Sequence, residues 1–189
     1  MVHFVESHRP SRLQSEQRLT HHPTTDVDAS WATTLDPLHT TDFQIAMVVS
    51  GGGSRAIGRC FQRPGASRSF VEAVVPYSHA AMCEYLNEPP AGPSASVETA
   101  IQLSRVAMER CRRLSDNGIN TSIPVGISLV AALPTSEPRK GQDRIHVALN
   151  VNGSIQTWTR QLPRGEFTRD AAERVAEAMF LSAMGELLR

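Results

Sequence analysis

From residue 43 to the C-terminus, short unbroken apolar runs alternate with stretches whose apolar residues recur every three or four positions. Residues 43–49, F-Q-I-A-M-V-V, stop at Ser50-Gly51-Gly52-Gly53, the pattern of a buried strand ending in a glycine turn. Residues 54–62 then space Ala56, Ile57, Cys60 and Phe61 as a helix does, and Pro64-Gly65-Ala66-Ser67 breaks it. A second strand is predicted over 70–75, closed by Pro76. Residues 78–86 read as a helix capped by Ser78, and 88–96, with three prolines and a glycine, as a loop. Ser96-Val97-Glu98-Thr99 opens a long helix to residue 115, with Ala100, Leu103, Ala107, Cys111 and Leu114 down one side. Asn117-Gly118 ends it. Residues 124–133 are apolar enough for a central strand, and 144–151 and 155–162 are β-rich runs around the hairpin signal Asn152-Gly153. Residues 168–189 close the chain as an amphipathic helix, with Thr168 as its cap and Ala172, Val175, Ala176, Met179 and Leu187 on its core side.

Helices and strands mixed in this order predict one α/β domain, a three-layer α/β/α sandwich around a mixed sheet. The hairpin argues against a purely parallel sheet. Residues 1–40 differ from the rest: 7–28 are rich in Ser, Thr, His, Arg and Pro and poor in apolar anchors. Such a composition cannot offset the entropy of ordering, so 1–40 are expected to form a mobile tail that begins to dock around residues 31–38, with the folded domain over 41–189. His21-His22 in that tail is read as a solvated pair.

Composition narrows the function classes. The 189 residues carry 19 Lys+Arg against 19 Asp+Glu, so no net charge draws in a polyanion, and no nucleic-acid partner is expected. Cys60, Cys83 and Cys111 stand far apart with no C-x-x-C spacing, the usage of reduced, mostly buried thiols in a cytoplasmic protein, and no metal site is expected. No apolar run approaches the ~20 residues needed to cross a bilayer, and no secretory signal pattern opens the chain. No membrane partner is expected either.

The chemistry-bearing feature is the strand, glycine turn and helix at Ser50-Gly51-Gly52-Gly53-Ser54-Arg55. Glycines permit a sharp turn and close backbone approach, and a helix N-terminus presents unpaired N–H groups suited to a phosphate or carboxylate. Arg55 would add a charged fork. The spacing is neither a dinucleotide-binding nor a phosphate-loop signature, so an anion site and a tight structural turn both remain open. Tyr77 and Ser78 follow a predicted strand end, where α/β proteins bind ligands. Trp31 and Trp158 are read as packing residues, His146 as a half-buried strand histidine, Arg139-Lys140 as a loop pair, and Arg110, Arg112 and Arg113 as a solvated helix face.

Taken in order, S-G-G-G-S-R-A-I-G at 50–58, P-G-A-S at 64–67, V-E-A-V-V-P-Y-S at 71–78, the helix opened by Ser96 and the closing strand and helix resemble the C-terminal domain of the CinA (competence/damage-inducible) family over residues 43–189. Closer still is a divergent branch of that family, found joined to a nucleotidyltransferase-like domain, whose wording the segment A-L-P-T-S-E-P-R-K-G-Q-D-R-I-H at 132–146 also resembles. The resemblance implies an amidohydrolase that converts nicotinamide mononucleotide to nicotinate mononucleotide and ammonia, without a cofactor, by a serine nucleophile helped by a lysine and a tyrosine. It also implies a homodimer.

Carried over residue by residue, the family's glutamate-serine pair falls on Met47 and Val48, its threonine on Ser50 and its two glycines on Gly51 and Gly52. Its tyrosine and serine fall on Tyr77 and Ser78, one lysine on Met82 and another near Lys140. Valine offers no nucleophile, and methionine no proton to exchange. Three readings follow. In the first, a non-catalytic member keeps a nucleotide-type pocket in which Ser50, Gly51, Gly52, Gly53 and Arg55 hold a phosphate and Tyr77 or Ser78 contacts base or sugar. In the second, an amidohydrolase has rebuilt catalytic residues, with Ser50 as nucleophile and Lys140, Tyr77 or His79 as base. The third is a partner-binding module.

Overall fold

The computed structural model describes residues 26–115, 122–137 and 141–189. Five strands form one mixed sheet in the order β2-β1-β3-β4-β5. Strand β1 (Phe43–Ser50) lies parallel to β2 (Phe70–Val74) on one side and to β3 (Ile123–Ala132) on the other. Strands β4 (Asp143–Val151) and β5 (Ser154–Leu162) extend it as antiparallel neighbours, joined by a turn in which Asn152 and Gly153 both take positive φ. The predicted hairpin and mixed sheet are therefore present.

Alternation along the strands divides the core in two. Ile45, Met47 and Val49 of β1 and Ile127, Leu129 and Ala131 of β3 point to one face. That face is covered by α1 (Asp26–Leu38), α2 (Ser54–Gln62), the short α3 (Ala66–Ser69) and α6 (Arg169–Gly185), which a 3₁₀ turn (Glu186–Leu188) follows. Ala46, Val48, Val130 and Ala148 point the other way, against α4 (His79–Leu86) and α5 (Val97–Leu114). The result is the three-layer sandwich expected from the sequence. Ser78, Ser96 and Thr168 cap α4, α5 and α6 through their hydroxyls, as their positions predict.

Helix α5 lies unusually close to β3 because Gly126 has no side chain: a Cβ there would overlap Ser104 O and Met108 N. Ser128 Oγ donates to Ala100 O at 2.6 Å and Cys111 Sγ to Gln44 O at 2.9 Å, so α5 is also tied to the sheet by polar contacts. All three thiols are free, with Cys60 and Cys111 buried. Leu114, expected on the buried side of α5, is instead 46% exposed at the last residue of the helix. Arg110 is not simply solvated. It pairs with Glu72 of β2 through two nitrogens and lies over the Tyr85 ring, 5.4 Å from its centroid.

One boundary shifts. The expected tail over 1–40 already contains α1, and Trp31, Leu35 and Leu38 are fully buried against the sheet. Three large apolar side chains on one helical face suffice to anchor the segment, burial of each such group contributing about 1.5–3 kcal/mol. The run carries little apolar signal because Thr33, Thr34, Asp36 and Pro37 fill most of the positions between them. Residues 1–25 lie outside the described residues, with His21-His22 among them.

Immediately after α1, His39 is buried, its Nδ1 3.0 Å from Ser69 Oγ and its ring edge-on to Phe70. Burial holds its pKa below the ordinary 6.5, with Arg63 and Arg68 adding to that and Asp36 opposing it.

Two outcomes test this packing. Trp31→Ala is expected to cost about 3–5 kcal/mol in urea unfolding, as for a large core aromatic, whereas a loosely docked tail would change it by under ~0.5 kcal/mol. Because His39 resists protonation only when folded, its contribution is intact above pH 6.5 and is lost as pH falls below that value. His39→Gln is therefore expected to lose less stability than the parent protein between about pH 7.5 and 5.5, and equal losses would refute it.

Candidate functional site

In a sheet where the chain leaves β1 to one side and returns to the other, ligands gather outside the carboxyl ends of the strands at the point of reversal. Here that point lies between β1 and β3. Three segments converge on it: the turn 50–53 after β1, residues 75–78 after β2, and 133–136 after β3.

The glycine turn is built by close approach. Gly51 and Gly53 adopt φ of 75° and 83°, values that a residue with a Cβ rarely takes. A Cβ on Gly51 would also overlap the Ala131 carbonyl oxygen, so the turn packs directly on the backbone of β3. Ser50 is buried and its Oγ donates to Pro76 O at 2.9 Å, joining the ends of β1 and β2. A peptide carbonyl cannot take up a proton, so this contact orients the hydroxyl without activating it.

The helix N-terminus offered by the sequence to a ligand anion already meets a carboxylate of the chain itself. Gly53 N–H, at the N-cap of α2, donates to Glu173 Oε2 at 2.7 Å. Arg169 Nη2 donates to Gly51 O at 3.1 Å and lies 3.3 Å from Glu173 Oε1. Arg55 turns away from the turn and pairs with Asp170 at 2.7 Å. The first turns of α6 thus supply the charges that the pattern assigns to a phosphate. No sequence motif marks Glu173, Arg169 or Asp170 for this role, since each stands some 115–120 residues from its partner.

The positions that the resemblance gives to nucleophile and base come together, but as hydrocarbon. Val48 and Met82 are 0% and 1% exposed and belong to one apolar cluster with Ala46, Leu103, Val130 and Ala148. Tyr77 is brought to the same end of the sheet and stands 70% exposed. Ser78 caps α4, its Oγ accepting from Ala81 N–H at 3.1 Å. His79 sits 3.5 Å from Cys83 Sγ within that helix. Lys140, the chain's single lysine, lies outside the described residues together with Arg139.

What remains open at the mouth is a cleft of about 560 Å³ lined by Pro134, Thr135, Ser136, Thr168 and Arg169. It combines three hydroxyls, a guanidinium and the N-terminal turn of α6. A second hollow, about 350 Å³, is lined by Pro134, Thr135, Gly141, Asp143 and Arg164. His146 stands apart from this mouth in its contacts, buried on the α5 side of β4 with Nδ1 2.8 Å from Thr159 Oγ1. Burial and the neighbouring Arg144 lower its pKa, against a smaller opposing effect of Glu98. Among the described residues no group of His, Cys, Asp or Glu could hold a metal ion, and no helix is long and apolar enough to cross a membrane.

The sealed character of position 82 is testable. Met82→Lys would put an unpaired ammonium into hydrocarbon and is expected to cost on the order of 3 kcal/mol at neutral pH. Burial lowers the folded-state pKa of such a lysine, so the cost should shrink as pH rises towards its unfolded value of about 10.4. Unchanged urea stability would mean that position 82 faces an open polar pocket.

No protein-family profile and no curated protein sequence matches the chain. Solved structures do. A competence-damaged protein (CinA) superfamily protein from Escherichia coli superposes with a TM-score of 0.65 at 14% identity, covering 90% of this chain and 97% of the other. A competence/damage inducible protein from Agrobacterium tumefaciens gives 0.63 at 15%, covering 90% and 98%. A competence damage-inducible protein from Klebsiella pneumoniae gives 0.66 at 14%, covering 85% and 96%. At these identities the likeness is one of architecture: the chain folds as a CinA-like α/β domain.

Proposed function

We propose that this chain is a CinA-like domain that lacks amidohydrolase chemistry and binds a small phosphorylated, nucleotide-type ligand at the carboxyl ends of β1 and β3. The observation that carries the first half is the enclosure of Val48 and Met82 in one apolar cluster. Neither side chain can form a covalent intermediate or accept a proton, and their surroundings leave no room for water to do so. Ser50 does not replace them, because its hydroxyl is buried against the Pro76 carbonyl.

The second half rests on the mouth. The cleft beside Thr135, Ser136 and Arg169 lies within the ~300–1,000 Å³ usual for small-molecule sites. A phosphate there would meet hydroxyl donors, a guanidinium and the positive end of a 17-residue helix. Tyr77 is free to stack on a base or ribose at the same end of the sheet. The carboxylate of Glu173 at the α2 N-terminus moves the anion subsite from the glycine turn to the α6 side. Exposed Val75 and Tyr77 at the end of edge strand β2 favour a partner-binding reading as the second choice.

The test incubates purified protein with nicotinamide mononucleotide while ammonia and the unfolding temperature are followed. Ammonia is expected to stay at the level of a Ser50→Ala control. Nicotinamide mononucleotide is expected to raise the unfolding temperature, and Tyr77→Ala, an exposed position that should leave the fold intact, to abolish that rise. Ammonia above the control would restore the rebuilt-enzyme reading. Absence of both signals would favour the partner-binding module.

A further inference from the structure

A cleft of about 520 Å³ lies on the α4/α5 layer and shares no lining residue with the mouth of the sheet. Its volume suits a small molecule. Tyr85 and Leu86 at the end of α4 and Val106 of α5 give it an apolar wall. Helix α5 adds Arg105, Arg110 and Arg113, with Glu109 among them.

The informative feature is which of these charges are already met. Arg110 is taken by Glu72, and Glu109 by Arg112 at 2.6 and 2.7 Å. Arg105 and Arg113 make no hydrogen bond or ion pair among the described residues. Exchange of partners would not change the balance, because Arg105, Arg110, Arg112 and Arg113 stand against Glu72 and Glu109 alone. Glu84 and Glu88, the acidic residues of α4 and the turn after it, do not line the cleft, and Glu88 is held by Gln102. Two positive charges are therefore left over, and their spacing is set by the helix. Arg105 and Arg113 stand eight residues apart on α5, so their Cα atoms lie about 12 Å apart along its axis. Between them the cleft is apolar on the α4 side, since Tyr85 lies under Arg110. On α5 itself Glu109 stands four residues from each arginine.

We propose that this cleft binds an elongated dianion, a small molecule with a carboxylate or phosphate at each end of an apolar linker. One end rests on Arg105 and the other on Arg113, with the linker along Val106 and Tyr85. Both guanidiniums are exposed and keep all five N–H donors, enough for a bidentate grip on each end group. The Glu109 carboxylate at the centre of the row repels a compact anion placed midway, so the two charges of the ligand must stand apart.

The experiment titrates the full chain by calorimetry, at low ionic strength, with decanedioate, decanoate and butanedioate. Decanedioate, which spans the pair when extended, is expected to bind about five-fold more tightly than decanoate, the difference made by one exposed ion pair. Butanedioate carries both charges but is too short, and should bind no better than decanoate. Arg105→Ala and Arg113→Ala, both at exposed positions and so expected to keep the urea midpoint, should each bring decanedioate down to the decanoate level. Arg174→Ala, which removes an arginine already paired with Asp170, should leave the preference intact. About 1 M salt should abolish it. Equal binding of butanedioate and decanedioate would overturn the proposal, as would a preference that survives Arg105→Ala and Arg113→Ala, or no binding of decanedioate. An equal loss in Arg174→Ala would also overturn it, marking the attraction as unspecific.

Discussion

The glycine turn after β1 is held between two pieces of the chain that lie far from it in sequence, and the arrangement of the mouth depends on that clamp. From the sheet side, Gly51 presses on the Ala131 carbonyl so closely that no side chain fits. From the outer layer, Glu173 satisfies Gly53 N–H and Arg169 holds Gly51 O. A buried turn must satisfy its backbone polar groups, and here α6 does so with a carboxylate and a guanidinium. Once α6 is fixed in this way, Asp170 and Glu177 collect Arg55 and Arg59, and α2 is bound to α6 along its length.

The same clamp separates two chemistries. On the α4/α5 side of β1, Val48 and Met82 close a hydrocarbon core, which keeps Ser50 next to a carbonyl rather than a base. On the α1/α2/α6 side, Arg55, the arginine that a phosphate site at the turn would use, is drawn outward to Asp170. Charge that sequence order places beside the glycines is thereby transferred to the outer layer. The open mouth keeps exposed Tyr77 and, in its cleft, Thr135, Ser136 and Arg169.

Much of the fold was legible because its signals are local. Period-two and unbroken apolar runs mark β1, β3 and β4, side-chain caps mark α4, α5 and α6, and Asn152-Gly153 marks the hairpin. Helix α1 was obscured because its three buried anchors are separated by polar residues in a region of low apolar content. The site was legible only as a list of residue types. That Val48 and Met82 cannot act as nucleophile and base follows from their side chains alone, and their meeting in one sealed cluster required the sheet.

By itself, then, the amino-acid order determines an α/β alternation, a strand ending in a glycine turn, the helix caps and apolar side chains at positions 48 and 82, since each depends on a few adjacent residues and their intrinsic geometry. Tertiary structure decided what those parts face. Whether the α2 N-terminus met solvent, a ligand or Glu173 depended on how α6 packs across some 120 residues of intervening chain. Such a contact is set by the complementarity of two distant surfaces, and neither surface carries the other's pattern in its own sequence.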